Sequence, residues 1–225
     1  MSIESATQRV LWALAGSDRR ANAFEAAKRT VRRTPVQERS NDTVQQILAA
    51  TSALLEQKPL QELTTSRIAV EAGISIGGLY RFFPDKQAIL DAIAVRAMEE
   101  FQAGLEGELS ESFPEDGAAL LDLVIDAYVR FLDARPDFRS IALGQHISAS
   151  TRRRQVQPDI GPSGLIKNFM MNLVGVTETA ELDIRLRIAS EAGERLIAYA
   201  YEQNPEDRKI VVREMKRLLA GYLFG

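Results

Sequence analysis

TTSRIAVEAGISIGGLYRFFPDK, residues 64–86, is the stretch from which the rest of the chain is read. Thr64 and Thr65 suit a helix start, and Gly73 ends a short helix where a left-handed residue is wanted. Ser75 can cap a second helix, from Ile76 to about Phe83. Two short helices about a tight glycine turn, then an aromatic cluster and Pro84, have the form of a helix-turn-helix that enters the major groove of DNA.

Each residue has a physical use in that setting. Thr64 and Thr65 offer hydroxyls to a phosphate where the helix dipole adds attraction. Gly77 and Gly78 each cost roughly 1 kcal/mol relative to alanine inside a helix, and in exchange let the backbone approach the groove closely. Tyr80 carries a polar tip suited to phosphate, and Arg81 can reach the DNA backbone or a guanine edge. Lys86 falls in the first turn of the next helix, where the dipole mildly disfavours a cation unless an anion such as a phosphate lies nearby. Leu79, Phe82 and Phe83 are expected to hold a small core.

LTTSRIAVEAGISIGGLYRFFPDKQAIL, residues 63–90, resembles the DNA-binding signature of the tetracycline-repressor (TetR) family. The resemblance is carried by the paired threonines, Ile68-Ala69, Ala72-Gly73-Ile74-Ser75, Leu79-Tyr80 and the aromatic-Pro-x-Lys ending at Lys86, and it spans Asp42 to Leu90. It implies that Thr64, Thr65, Tyr80 and Lys86 touch the phosphate backbone, and that Ser66, Ile76, Gly77 and Gly78 approach base edges. Ser75 and Arg81 complete the candidate DNA-binding set. Ile76 and the two glycines stand where some relatives carry polar readers, which leaves thymine methyl groups, Ser66, Arg81 and DNA shape to supply specificity.

Composition narrows the alternatives. The 225 residues include no cysteine and one histidine, so disulfides, thiolate metal sites and Ser-His-Asp chemistry have little to work with. No metal and no cofactor is expected. Asp122 and Asp126 stand at helical spacing, but nothing gathers a nucleophile or cofactor loop around them, so an enzyme is not expected. No run approaches the roughly eighteen apolar residues of a membrane span. The N-terminal residues lack the apolar core of a signal peptide, so a cytoplasmic location is expected. Net charge is −3, yet residues 1–40 carry eight basic against four acidic side chains. A basic leading segment on an acidic body would face a polyanion end-on.

The periodicity predicts an all-α chain. Residues 1–40 read as a basic N-terminal extension, residues 41–86 as the helix-turn-helix domain and residues 87–225 as a helical ligand-binding and dimerisation domain. Val44, Ile47, Leu48, Thr51, Leu54 and Leu55 share a helical face, with Asp42 and Gln45 as a capping box and Pro59 as the stop. A long helix is expected from Pro84 or Asp85 to about Leu109, another over 118–134 and one from Pro136 through Ile147. Ser148 to Gly164, with three consecutive arginines, reads as an exposed loop, and Leu165 to Val174 as a short helix. Two helices close the chain, about 180–203 and 206–223, broken at Asn204-Pro205.

The family resemblance implies that these last two helices meet their twins in a four-helix homodimer interface. Leu182, Leu186, Ala189, Gly193, Leu196, Val211, Met215, Leu218 and Tyr222 form the candidate seam, while Ile184, Ile188 and Tyr199 populate another side. It also implies a small-molecule effector, for which Tyr128, Phe131, Phe138, Gln145, His146, Phe169, Met170 and Met171 are the candidate lining. Partners would then be near-palindromic double-stranded operator DNA, a second copy and a mostly apolar effector. A DNA-binding repressor that senses no small molecule is the alternative.

Overall fold

The computed structural model describes residues 35–112, 114–144, 146–148, 151 and 179–225. The basic extension before residue 35, most of the 148–164 loop and the 165–174 helix lie outside the described residues, as do Gln145, Phe169, Met170 and Met171. The described chain is all-helical: α1 (Pro35–Gln57), a 3-10 turn (Leu60–Glu62), α2 (Thr65–Glu71), α3 (Ile76–Phe82), α4 (Lys86–Glu111), α5 (Gly117–Ala134), α6 (Pro136–Leu143), α7 (Ala180–Tyr201) and α8 (Pro205–Phe224). Two compact units divide it. One joins residues 35–97 with Arg135–Ser148; the other joins Met98–Ala134 with residues 179–225.

In the first unit the expected stripe of α1 does turn inward. Ile47, Leu48, Thr51, Leu54 and Leu55 are buried with Ile68, Leu79, Ile89, Leu90 and Ile93. Thr51 lies fully buried because its hydroxyl donates to the Ile47 carbonyl at 2.7 Å, which removes the cost of burying it unpaired. The capping box at Asp42 and Gln45 is not used. Helix α1 already begins at Pro35, whose fixed φ suits a first turn, so both residues lie inside it. Gln45 Oε1 instead accepts from Arg96 Nη1 at 2.6 Å. Helix α4 starts at Lys86, with Asp85 accepting from the Ala88 amide at 2.8 Å.

Helix α6 packs on α1 through Phe138 and Ile141, both fully buried. It ends at Leu143 rather than running through Ile147, because Gly144 releases the chain. A Cβ there would sit 2.8 Å from the Ser140 carbonyl oxygen. The following residues fold back onto α4: the Gln87 amide donates to the His146 carbonyl at 2.6 Å, and Asp91 Oδ1 accepts from the Ser148 amide at 2.9 Å. In the stretch expected as an exposed loop, Thr151 is in fact buried.

In the second unit α8 packs against both α7 and α5. Leu182, Leu186, Ala189, Ile197 and Ala200 of α7 and Met215, Leu219 and Leu223 of α8 are buried alongside Leu120, Leu121, Val124 and Leu132 of α5. Asn204 caps α8 by accepting from the Glu206 and Asp207 amides, with Pro205 in the first turn. Lys216 of α8 reaches Asp126 at 2.8 Å and Asp122 at 3.8 Å. The two carboxylates at helical spacing thus serve an inter-helix ion pair.

Candidate nucleic-acid interface

Local chemistry builds the reading element. Thr64 caps α2 by accepting from the Arg67 amide, and Ser75 caps α3 by accepting from the Gly78 amide at 3.0 Å. Between them the Ile74 amide reaches back to the Ala69 carbonyl, and Gly73 takes a φ of +66°. That left-handed turn is open to glycine at no steric cost and sets the angle between α2 and α3. Leu79, fully buried, and Phe83 anchor α3 from beneath.

The outer surface of α2 and α3 carries the candidates. Thr65 Oγ1 and the Tyr80 hydroxyl lie 3.0 Å apart, so two of the expected phosphate-contacting groups form one polar pair across the helices. Thr64, Ser66, Ser75, Gly77, Tyr80 and Arg81 are exposed. The Arg81 guanidinium rests over the Phe82 ring at 4.8 Å, which holds its long side chain against the surface. Lys86 Nζ donates to the Leu63 carbonyl at 3.0 Å, just before the threonine pair. That carbonyl offsets the unfavourable dipole at the start of α4 and keeps the ammonium next to Thr64.

Gly77 and Gly78 differ in what surrounds them. A Cβ on Gly78 would stand 3.1 Å from Ser75 Oγ, so glycine there is compatible with the cap. A Cβ on Gly77 would meet nothing within 4 Å among the described residues, so no contact with them requires glycine at that position. Arg67 escaped the sequence reading, since an arginine in mid-helix carries no signal of its own. It stands beside the Thr64 cap, donating to the Glu62 carbonyl at 3.0 Å and pairing with the Glu62 carboxylate at 3.4 Å.

The ligand candidates fall in both units. Tyr128 and Phe131 meet Phe101, with ring centroids 5.3 and 5.5 Å away. Burial raises the Tyr128 phenol above its usual range, and the charge of Glu194 pushes the same way, so it stays a hydrogen-bond donor at every ordinary pH. Phe138 lies in the core of the first unit, and the His146 ring covers the end of α6 at Gly144. Of the candidate dimer seam, Leu182, Leu186, Ala189 and Met215 are buried by the chain's own helices, and Gly193 approaches Leu219. Leu182, Leu186, Ala189 and Met215 are thus covered within the chain itself, contrary to their expected place on the seam. Gly193, Leu196 and Val211 are part-exposed, whereas Leu218 and Tyr222 are exposed together with Ile184, Ile188, Tyr199 and Ile210.

Comparison with known proteins finds matches for both the N-terminal and the C-terminal helices. An uncharacterised helix-turn-helix transcriptional regulator of Haemophilus influenzae is 33% identical over 73 residues, 32% of this chain and 39% of the relative. A nucleoid occlusion factor SlmA of Marinomonas sp. is 24% identical over 121 residues, 53% of this chain and 59% of the relative. The chain therefore spans less than two thirds of the length of these curated relatives. The crystal structure of a TetR-family transcriptional regulator from Streptomyces coelicolor superposes with a TM-score of 0.65 at 25% identity, over 80% of this chain and 97% of that one. Residues 47–93 match the bacterial regulatory proteins of the tetR family, and residues 118–223 match a tetracyclin repressor-like C-terminal domain, together about two thirds of the chain. With its reader and its C-terminal helices both matched, the chain belongs to the TetR family, whose members are non-enzymatic DNA-binding transcription factors.

Proposed function

We propose that the protein is a ligand-responsive transcriptional repressor that binds a near-palindromic operator as a homodimer and is released by a small, mostly apolar effector. The observation that carries the dimer is the set of large apolar side chains left in water on α7 and α8. Ile184, Ile188, Tyr199, Ile210 and Leu218 are each 45–56% exposed, although the same helices bury full apolar stripes inside the chain. An exposed apolar set of this size on two adjacent helices suits a self-complementary interface. Two-fold pairing would set two α3 helices roughly 34–36 Å apart, or a multiple of that, which gives the palindrome. Thr64, Thr65, Tyr80 and Lys86 bind phosphate in this reading, while Ser66, Ser75, Ile76, Gly77, Gly78 and Arg81 face the bases.

The aromatic group of Phe101, Tyr128 and Phe131 supports an apolar effector oriented by one phenol donor. An inducer must favour the conformation that does not bind DNA, since equal affinity for both would shift nothing. Coupling of about 1–3 kcal/mol would change operator affinity roughly 5–150-fold. Acting on the chromosome, the protein would work in the cytoplasm.

A second reading is favoured by the relatives called nucleoid occlusion factors: DNA binding governed by a protein partner instead of a small molecule. Selection of bound fragments from genomic DNA by the purified chain, at stated salt, tests both. A few palindromes beside promoters are expected. Sites dispersed along the chromosome would favour the second reading, and absence of any preferred sequence would overturn both.

A further inference from the structure

We infer that the side chain of Ile76 reads the 5-methyl group of a thymine, and is the apolar specificity determinant of this protein. The inference rests on the operator-binding reading above and adds the chemistry of one base position. It starts from what the exposed start of α3 lacks. Ser75 is the cap of α3, its oxygen accepting from the Gly78 amide at 3.0 Å. Gly77 and Gly78 carry no side chain. Tyr80, one turn on from Ile76, points its hydroxyl at Thr65, 3.0 Å away. The Arg81 guanidinium lies over the Phe82 ring. On the first turn of α3, from Ile76 to Leu79, the one exposed side chain is therefore a branched hydrocarbon, since two positions are glycine and Leu79 is buried.

Ile76 is 41% exposed and outside the core, so the fold does not need it. A β-branched residue is also a poorer helix former than alanine on an exposed turn. Beside it, the empty space where a Gly77 Cβ would project lets the helix sink further and carries Ile76 with it. The major-groove edge of a base pair displays one apolar group, the methyl at C5 of thymine. Cytosine offers an amino donor in the same region and no methyl, so an aliphatic side chain pressed there favours thymine and leaves cytosine's donor unpaired.

The test uses the full chain and duplexes recovered by it from a random-sequence pool. Each thymine of the recovered duplex is replaced in turn by deoxyuridine, which removes only the methyl group, and affinity is measured for the wild type and for Ile76→Ala. One position is expected at which deoxyuridine weakens the wild type about fourfold, the weight of one buried methyl group. Ile76→Ala should bind the thymine and deoxyuridine duplexes equally at that position and melt no lower than the wild type. Ile76→Val should retain part of the discrimination. Indifference of the wild type to every replacement, or an equal penalty in wild type and Ile76→Ala, would overturn the inference while leaving operator binding intact. Recovery of no preferred duplex would instead overturn the operator reading, and this inference with it.

Discussion

Gly77 is helical and exposed, and a Cβ there would meet nothing within 4 Å among the described residues, so in the proposed reading its cost to the fold is offset by close approach to DNA. Gly77→Ala is expected to stabilise the free protein by about 0.5–1 kcal/mol, because alanine loses less backbone freedom. The same methyl should weaken duplex binding by standing in the groove. A raised melting temperature with lowered affinity is the expected pair, and unchanged affinity would remove Gly77 from the interface. The two residues proposed to face phosphate, Lys86 and Tyr80, separate by charge. Lys86→Ala should weaken binding on all sequences and reduce the slope of log affinity against log salt by about 1. Tyr80→Phe, which loses the hydroxyl paired with Thr65, should weaken binding similarly on all sequences while leaving that slope unchanged. Both follow from titrations at several salt concentrations. The two short helices that carry Gly77 and Tyr80 were legible in the sequence because caps, glycines and aromatic anchors have local rules. Arg67 was not, since its importance lies in which carbonyl and carboxylate it meets across the turn.

Among the elements, helix α6 shows how one buried ion group fixes a packing arrangement. Asp137 sits in its first turn, 3% exposed, with Arg135 Nε at 3.1 Å. Burial alone would raise its carboxyl, but hydrogen bonds from Arg135 and from Ser52 of α1 outweigh that and hold it below the usual carboxylate range. A carboxyl whose value is depressed on folding stabilises the protein above its unfolded value, about 3.9, and the contribution disappears as pH falls through the lower folded value. Asp137→Asn should therefore cost about 1–3 kcal/mol at pH 7, and the deficit should shrink in melts taken below pH 4. A deficit that stays constant on acidification would mean packing, not charge, is what the carboxylate contributes. Sequence periodicity found α6 and Pro136 at its start, yet overran its end by four residues. Gly144 was present to be read as a stop, but glycine inside an apolar run is ambiguous until its Cβ position is known to collide with a carbonyl. Conversely, α1 begins earlier than expected, because Asp42 and Gln45 satisfy a capping pattern that Pro35 had already made unnecessary.

For the molecule as a whole, the pattern in α7 defined two apolar stripes but not which one faces inward. Periodicity of 3.6 residues gives the angular position of each stripe and carries no information about the neighbour that covers it. Packing resolves it: the Leu182, Leu186 and Ala189 stripe is the chain's own core, and Ile184, Ile188 and Tyr199 share the face left in water. The proposed interface therefore rests on exposed residues, which can be changed without touching the core. Ile188→Glu combined with Leu218→Glu should leave helical content and melting of the monomer nearly unaltered, since such surface positions normally contribute within about 0.5 kcal/mol. If these faces meet in a homodimer, the pair of charges buried against apolar neighbours should dissociate it at micromolar concentration. Sedimentation would then give a single species near the chain mass of 25.0 kDa. Operator affinity should fall on the order of a hundredfold or more, because the second half-site no longer benefits from the high local concentration that linkage to the first supplies. Binding to an isolated half-site should be the same for variant and wild type. A variant that stayed dimeric would exclude this face as the seam, and one that became monomeric yet bound the full operator as before would exclude two-fold reading of the DNA.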